Sequence, residues 1–169
     1  AAGEAGTEIE LGPIASAFRA LCPETDRLVV EGVGGWRVPL SASLSVSDIP
    51  KALGLPVLLV VGMRLGCLNH ARLTWESIRA QGCHLAGWVA NGIDPKMQAG
   101  DANLATLAAL MGAPCIGVLP WQPDRAPEST AALLDPDAID WPAQSPPKAR
   151  RCSGPPTWVA TDTGPGGGL

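Results

Sequence analysis

The sequence has little positive charge, no long apolar run and no paired cysteine motif, and each absence excludes a class of protein. Its 12 Lys and Arg residues against 16 Asp and Glu residues give a net charge of -4, which does not suit binding to a nucleic acid or to an anionic membrane surface. No apolar run reaches the roughly 18 residues of a spanning helix, and the N-terminal AAGEAGTEIE lacks the basic and apolar regions of a signal peptide. The sequence therefore predicts a soluble, cytoplasmic protein with no nucleic-acid or membrane partner.

The cysteines do not form a metal-binding or redox motif. There are five in 169 residues, an odd number, widely spread, with no CxxC pair and no histidine at a spacing typical of zinc sites. Reduced thiols are the simplest interpretation of such a set.

Residues 26–121 have the pattern of a parallel α/β sheet. Short β-rich runs alternate with helical patterns: DRLVVEG, LPVLLVVGM, HLAGWVAN and PCIGVLPW read as strands, and NHARLTWESIRAQG and DANLATLAALMG read as helices. Asn69 is a possible cap at the start of the first of these helices, and Gly82 closes its end. Residues 11–21 read as a further helix. The fold class predicted is a doubly wound, mainly parallel α/β sheet.

The composition changes after Trp121. The last 48 residues contain 9 of the 17 prolines and 5 of the 20 glycines, and the sequences AQSPPKARRCSGPP and TDTGPGGGL have neither a period nor many apolar residues. We therefore predict one α/β domain over 1–141 and a Pro- and Gly-rich tail over 142–169 that is disordered and does not pack on the core.

Glu31 and the glycines after it are the first candidate site. Glu31 ends a predicted buried strand, at the edge where open α/β sheets bind ligands, and Gly32 and Gly34 allow backbone to approach a phosphate. A carboxylate there suits Mg²⁺ carrying nucleotide phosphates, whereas a tight turn with a solvated Glu explains the same residues equally well. A dinucleotide-binding fingerprint is excluded, because Arg37 stands where its last glycine would be and no helix follows.

Two further strand ends carry candidate residues. Gly66, Cys67, Leu68 and Asn69 join a strand to a helix start, where backbone N–H groups suit a carboxylate, although an ordinary loop is the commoner explanation. Asn91 and Gly92 end the next strand, and an Asn side chain has the donor and acceptor needed to read a purine, although Asn-Gly is also a favoured turn.

Taken in order, LVVEGVGGW, PVLLVVGMRLGCLNHARLT, LAGWVANGI and IGVLPW resemble the dethiobiotin synthetase family over residues from about 8 to 121. The resemblance implies a P-loop-type fold and a homodimer. It also implies a reaction with ATP and Mg²⁺ in which a carbamate of 7,8-diaminopelargonic acid, formed with CO2, is phosphorylated and closes to the ureido ring of dethiobiotin.

The resemblance also implies roles for individual residues. Glu31 would bind Mg²⁺, and Gly32, Val33 and Gly34 would line the phosphate and carbamate region. Asn91, Gly92, Pro120, Trp121 and Gln122 would contact adenine. Gly66, Cys67, Leu68 and Asn69 would receive the substrate's tail carboxylate, across the dimer. No catalytic residue is assigned.

The sequence departs from the family at its phosphate loop. The strand and the Gly-Lys-Thr loop that should precede residue 8 are not in it, and its three lysines, Lys51, Lys96 and Lys148, lie outside any Gly-rich loop. The far ATDTGPGGGL resembles that loop only faintly, without its lysine, and is interpreted as a chance similarity. We therefore expect the chain alone to be inactive. Two alternatives remain: a related P-loop amide-forming enzyme of cofactor synthesis, and a non-catalytic pseudoenzyme that acts as a dimerisation partner.

Overall fold

The computed structural model describes residues 4–25, 28–124 and 126–142, together with the backbone of 158–162. Five strands form one sheet in the order β1-β5-β2-β3-β4, and every pair of neighbouring strands in it is parallel. The strands are β1 (Val29–Glu31), β2 (Val57–Met63), β3 (Leu85–Gly92), β4 (Cys115–Leu119) and β5 (Trp158–Asp162). The predicted parallel α/β class is confirmed, and the carboxyl ends of all five strands share one edge of the sheet.

Within the described ranges, five α-helices accompany the strands. The predicted helices at 11–21, near 69–82 and near 101–112 are all present, although their bounds differ by a few residues. They are α1 (Leu11–Leu21), α2 (Asp48–Leu53), α3 (Cys67–Ala80), α4 (Gly100–Leu110) and α5 (Pro127–Ala131).

Helix α3 covers one face of the sheet. Ala71 and Ile78 are buried and Trp75 packs against the same core, so these residues, three and four positions apart, form one apolar face. The predicted cap is wrong, however. The helix begins at Cys67 after Gly66, whose φ of +90° is left-handed, so Asn69 lies inside the first turn.

Two apolar clusters lie on the two faces of the sheet. The larger is formed by alternate residues of β2 and β3 with the inner faces of α3 and α4, and Trp88 is fully buried in it with its indole N–H donating to the Ala113 carbonyl at 3.2 Å. The smaller joins Leu58, Val89 and Ile116 to Ile139 and the half-buried Trp141. The central strands β2 and β3 are therefore buried on both faces, as their continuous apolar sequences predict.

Residues 133–141 are fixed to the second face by backbone hydrogen bonds. Asp135 N–H donates to the Ile116 carbonyl at 2.7 Å, and Asp140 N–H donates to the Ala86 carbonyl at 2.8 Å. The His84 ring nitrogen lies 2.6 Å from the Asp140 carbonyl oxygen. This histidine therefore has a structural contact that accounts for its presence.

The C-terminal segment contains the largest departure from the sequence prediction. Trp158–Asp162 pairs in parallel with β1 on one side and with β2 on the other. The prediction that residues from 142 onward do not pack on the core is therefore wrong for these five residues, because a strand can be inserted in a sheet through its backbone even where its flanking sequence is rich in Pro and Gly. The other residues of the predicted tail, from 143, lie outside the described part of the chain.

In the ranges that the structure describes, no helix combines the length and the apolar character that crossing a membrane requires.

Candidate functional site

The ends of β3 and β4 lie directly against each other. Asn91 is in register with Leu119, and the next residue, Gly92, has no room for a side chain. A Cβ atom at Gly92 would lie 2.7 Å from the backbone nitrogen of Trp121 and 2.9 Å from the carbonyl oxygen of Leu119. The segments 91–92 and 120–121 therefore form one continuous surface, at which Trp121 remains 48% exposed.

The end of β2 continues this edge. Gly62 is in register with Asn91, and Met63 is in register with Gly92. Beyond Met63 the chain turns through Leu65, which is 92% exposed, to Gly66 at the start of α3. The helix start and the Asn91 strand end are therefore neighbours at one edge of the sheet.

The first turn of α3 presents two unpaired backbone N–H groups. Cys67 N–H donates to the Arg64 carbonyl at 3.0 Å, whereas the N–H groups of Leu68 and Asn69 have no hydrogen-bond partner among the described residues. The Cys67 side chain is buried in the main core. An anion at this turn would therefore be held by Leu68 and Asn69 and not by the thiol, while Gly66 leaves open space beside them.

Glu31 lies exposed at the end of β1, and the loop after it is fixed at its first residue. A Cβ atom at Gly32 would come within 2.7 Å of Val46 Cγ1, so this glycine packs closely on the following segment. Val33 is 71% exposed and Gly34 has a left-handed φ of +68°. The strand itself differs from expectation: Val29 is exposed, because β1 is the edge strand of the sheet and not a buried one.

The predicted site residues fall into two groups on one edge. Asn91, Gly92 and Trp121 come together beside the start of α3, whereas Glu31 lies two strands away from β2, beyond β5. Glu31 is in register with Ala160, and Ala160 is in register with Leu58. Because Leu58 precedes Gly62 by four residues, Glu31 lies four residues behind Gly62 along the strand direction. At about 3.3 Å per residue this offset is roughly 13 Å. A ligand that contacts both groups must therefore be extended.

Comparisons with known proteins agree with the sequence resemblance. The model of a family described as an AAA domain matches residues 1–129. An ATP-dependent dethiobiotin synthetase from Xanthomonas oryzae pv. oryzae is 49% identical over 134 residues. Proteins of the same name are 50% identical over 134 residues in Aromatoleum aromaticum and 50% identical over 136 residues in Pseudomonas paraeruginosa. The chain belongs to the dethiobiotin synthetase family.

The alignments cover a larger share of this chain than of its relatives. The three alignments cover 79%, 79% and 80% of the chain and 60% of each relative. The chain thus spans about 60% of the length of the curated dethiobiotin synthetases that it matches. The family resemblance and the parallel α/β fold predicted from the sequence are both confirmed.

The dethiobiotin synthetase resemblance implies a Mg²⁺ ion, and the side-chain donors present limit how it could be held. In the described ranges no group of three or more His, Cys, Asp or Glu side chains could hold a metal ion. Glu31 is an exposed carboxylate at the end of a strand. Because Mg²⁺ bound with nucleotide phosphates takes only one or two carboxylates, this donor fits a nucleotide-bound ion and does not fit an ion held by protein alone.

Sequence reasoning missed the segment that supports the loop after Glu31. Ser47 N–H donates to the Trp36 carbonyl at 3.0 Å, and both side chains are buried. Neither the Trp36 Nε1 nor the Ser47 Oγ has a hydrogen-bond partner among the described residues. This segment leads into helix α2, and the sequence does carry signals for that helix. Ser47 and Asp48 are start signals before a short apolar run, and Gly54 is a stop signal after it.

Proposed function

We propose that this chain carries the adenine-binding and substrate-binding parts of a dethiobiotin synthetase acting in the cytoplasm. The reaction is the closure of the ureido ring from 7,8-diaminopelargonic acid and CO2. A carbamate forms on one amine, ATP phosphorylates the carbamate oxygen, and the second amine attacks the carbonyl carbon of the mixed anhydride and releases phosphate. ADP is the other product.

The contact between Gly92 and the 119–121 backbone is the observation that carries the proposal. Gly92 follows Asn91 directly, and its contact brings the end of β3 beside the exposed Trp121 at the carboxyl edge of the sheet. An amide side chain supplies a donor and an acceptor to a purine edge, and an indole supplies a stacking face. Gly92, Pro120 and Gln122 complete the proposed adenine contacts.

The second group of residues would contact the phosphates and the metal. Glu31 supplies a carboxylate to Mg²⁺ bound by the nucleotide, and Gly32, Val33 and Gly34 line the phosphate and carbamate region. The exposure of Val33 and the left-handed φ of Gly34 leave the backbone of this loop accessible to a ligand. Mg²⁺, when bound, neutralises phosphate charge during transfer.

The start of α3 would receive the tail carboxylate of the diamine. Leu68 and Asn69 contribute their unpaired N–H groups at the positive end of the helix dipole. In the homodimer that the family resemblance implies, a second copy would cover Leu65, which is 92% exposed beside this turn. Gly66 and Cys67 shape the turn without a side-chain contact to the substrate.

ATP binding can be tested on the 169-residue chain by two-dimensional amide NMR. Titration with MgATP should shift the signals of Asn91, Gly92 and the Trp121 indole. It should leave the indole of Trp141 unchanged, because Asp140 N–H donates to the Ala86 carbonyl at the amino end of β3, far from the carboxyl edge. Asn91→Ala should weaken binding about tenfold, the loss of one or two hydrogen bonds. Equal shifts at Trp121 and Trp141, or none at Asn91, would refute the adenine site.

A non-catalytic pseudoenzyme that acts as a dimerisation partner is the second candidate for these 169 residues taken by themselves. Their three lysines lie outside any Gly-rich loop, so they supply no lysine of the usual kind to the γ-phosphate. We therefore propose that these 169 residues alone do not form dethiobiotin from diaminopelargonic acid, bicarbonate and MgATP. Turnover on the order of 1 per second, which is ordinary for an enzyme, would overturn that proposal.

A further inference from the structure

Strand β1 is joined to the sheet through β5. In the strand order β1-β5-β2-β3-β4, the neighbour of β1 is β5, which comes last along the chain among the strands that the structure describes. Val30 is in register with Val159, and Glu31 is in register with Ala160. The C-terminal segment therefore lies between the strand that carries Glu31 and the rest of the sheet.

Apart from Gly32, the next residue, which packs on Val46, strand β1 has little else to hold it in place. It is three residues long, and Val29 is 52% exposed, so it contributes little apolar burial of its own. Isolated pairs of short strands are marginally stable in water. Its position consequently depends on the backbone hydrogen bonds that a neighbouring strand supplies.

Strand β5 can supply such bonds from both of its sides. It pairs with β1 over Trp158–Ala160 and with β2 over Val159–Asp162, while β2 also pairs with β3. These residues lie outside the 1–129 region that the family model matches. The strand ends with Asp162, after which the sequence reads TGPGGG.

We propose that Trp158–Asp162 is a positioning segment that holds Glu31 at the nucleotide edge, by inserting this chain's own C-terminal strand between β1 and β2. β5 is joined to β1 and β2 through backbone hydrogen bonds. A substitution that removes a backbone N–H group from β5 should therefore detach β1 from the sheet. The consequence for nucleotide binding rests on the proposed function, whereas the consequence for β1 does not.

The test compares two full-length variants that carry the same change. Ala160→Pro removes an N–H from the middle of β5, and Ala149→Pro makes the same change outside the strand. Amide exchange should speed up about tenfold or more at Val29–Glu31 in Ala160→Pro and stay as in the parent chain in Ala149→Pro. The amides of β3 and β4 should remain protected in both, which shows that the fold persists.

A second variant covers the case in which Ala160→Pro unfolds the whole chain. Ala160→Gly only weakens the strand, and it should speed exchange at Val29–Glu31 more than at Leu85–Gly92. Unchanged protection of β1 in Ala160→Pro, or a uniform increase across all strands in Ala160→Gly, would overturn the proposal. In the parent chain, the absence of cross-strand proton contacts between Val30 and Val159 would also overturn it.

Nucleotide titrations separate this proposal from the function it serves. If Ala160→Pro releases β1 and also weakens MgATP binding relative to Ala149→Pro, both proposals stand. If β1 is released and ATP binding is unchanged, β5 still positions β1, but Glu31 has no part in nucleotide binding. The positioning proposal therefore succeeds or fails on exchange at β1, and the functional one on ATP binding.

Discussion

Gly92 and Trp121 pack backbone against backbone, because a Cβ atom at Gly92 would lie 2.7 Å from the Trp121 nitrogen. The atoms in the way belong to the main chain of Leu119–Trp121 and not to a flexible side chain. The close approach of the β3 and β4 ends therefore requires glycine at this position, and the surface proposed for adenine depends on that approach.

Gly92→Ala should accordingly destabilise the protein. Forcing a methyl group against fixed backbone costs about 1–3 kcal/mol. Gly100→Ala is the matched control, since Gly100 begins α4 and a Cβ there meets no atom within 4 Å. That change should leave the free energy of unfolding unaltered or raise it by up to about 1 kcal/mol. Urea unfolding curves measure both, and equal stabilities of the two variants would show that the strand ends are not in contact.

Ser47→Ala should stabilise the chain. The Ser47 hydroxyl is fully buried, has no hydrogen-bond partner among the described residues and makes no capping bond at the start of α2. Removing such a group should raise the free energy of unfolding by about 1 kcal/mol. The exposed Ser43 offers a control, because Ser43→Ala should change stability by less than about 0.5 kcal/mol. Loss of stability in Ser47→Ala beyond that of Ser43→Ala would reveal a hydrogen bond that the fold needs.

Cys83 should make stability fall at alkaline pH. Burial raises the pKa of its thiol, with a smaller lowering by Lys51 and a smaller raising by Asp48. The unfolded chain therefore loses this proton first, so the stabilising effect is complete below the ordinary thiol pKa of about 8.5 and is lost as the pH rises through the folded-state pKa. The difference in unfolding free energy between the parent and Cys83→Ala should shrink as pH increases. A difference that is constant with pH would contradict the raised pKa.

The parts of the fold that were predicted have strong local signals. β2 is a continuous apolar run, and α3 places Ala71, Trp75 and Ile78 on one face. Helix α2 was missed because six residues are too few to show a period. Strand β5 was missed because its strand-forming residues Trp158, Val159 and Thr161 lie between stretches rich in Pro and Gly.

The sequence proposes residues for the site but not their geometry. The family motifs point to Asn91, Trp121 and Glu31, which remain predictions. No spacing in the sequence shows that Glu31 lies four residues before Gly62 in the register of the sheet. The burial of the Cys67 side chain is likewise a tertiary fact, since it depends on how α3 meets the sheet. Tertiary packing decided both.

Dethiobiotin formation by the chain fused to a phosphate loop tests the central claim most directly. The chain is fused behind a family strand and Gly-Lys-Thr loop of the kind that the resemblance implies, and supplied with diaminopelargonic acid, bicarbonate and MgATP. We expect dethiobiotin to form, and we expect Glu31→Gln, which keeps the size of an exposed side chain but removes the charge that Mg²⁺ requires, to lower the rate by about 100-fold or more at unchanged stability. A folded fusion that forms no dethiobiotin, or one whose Glu31→Gln variant is fully active, would contradict the account.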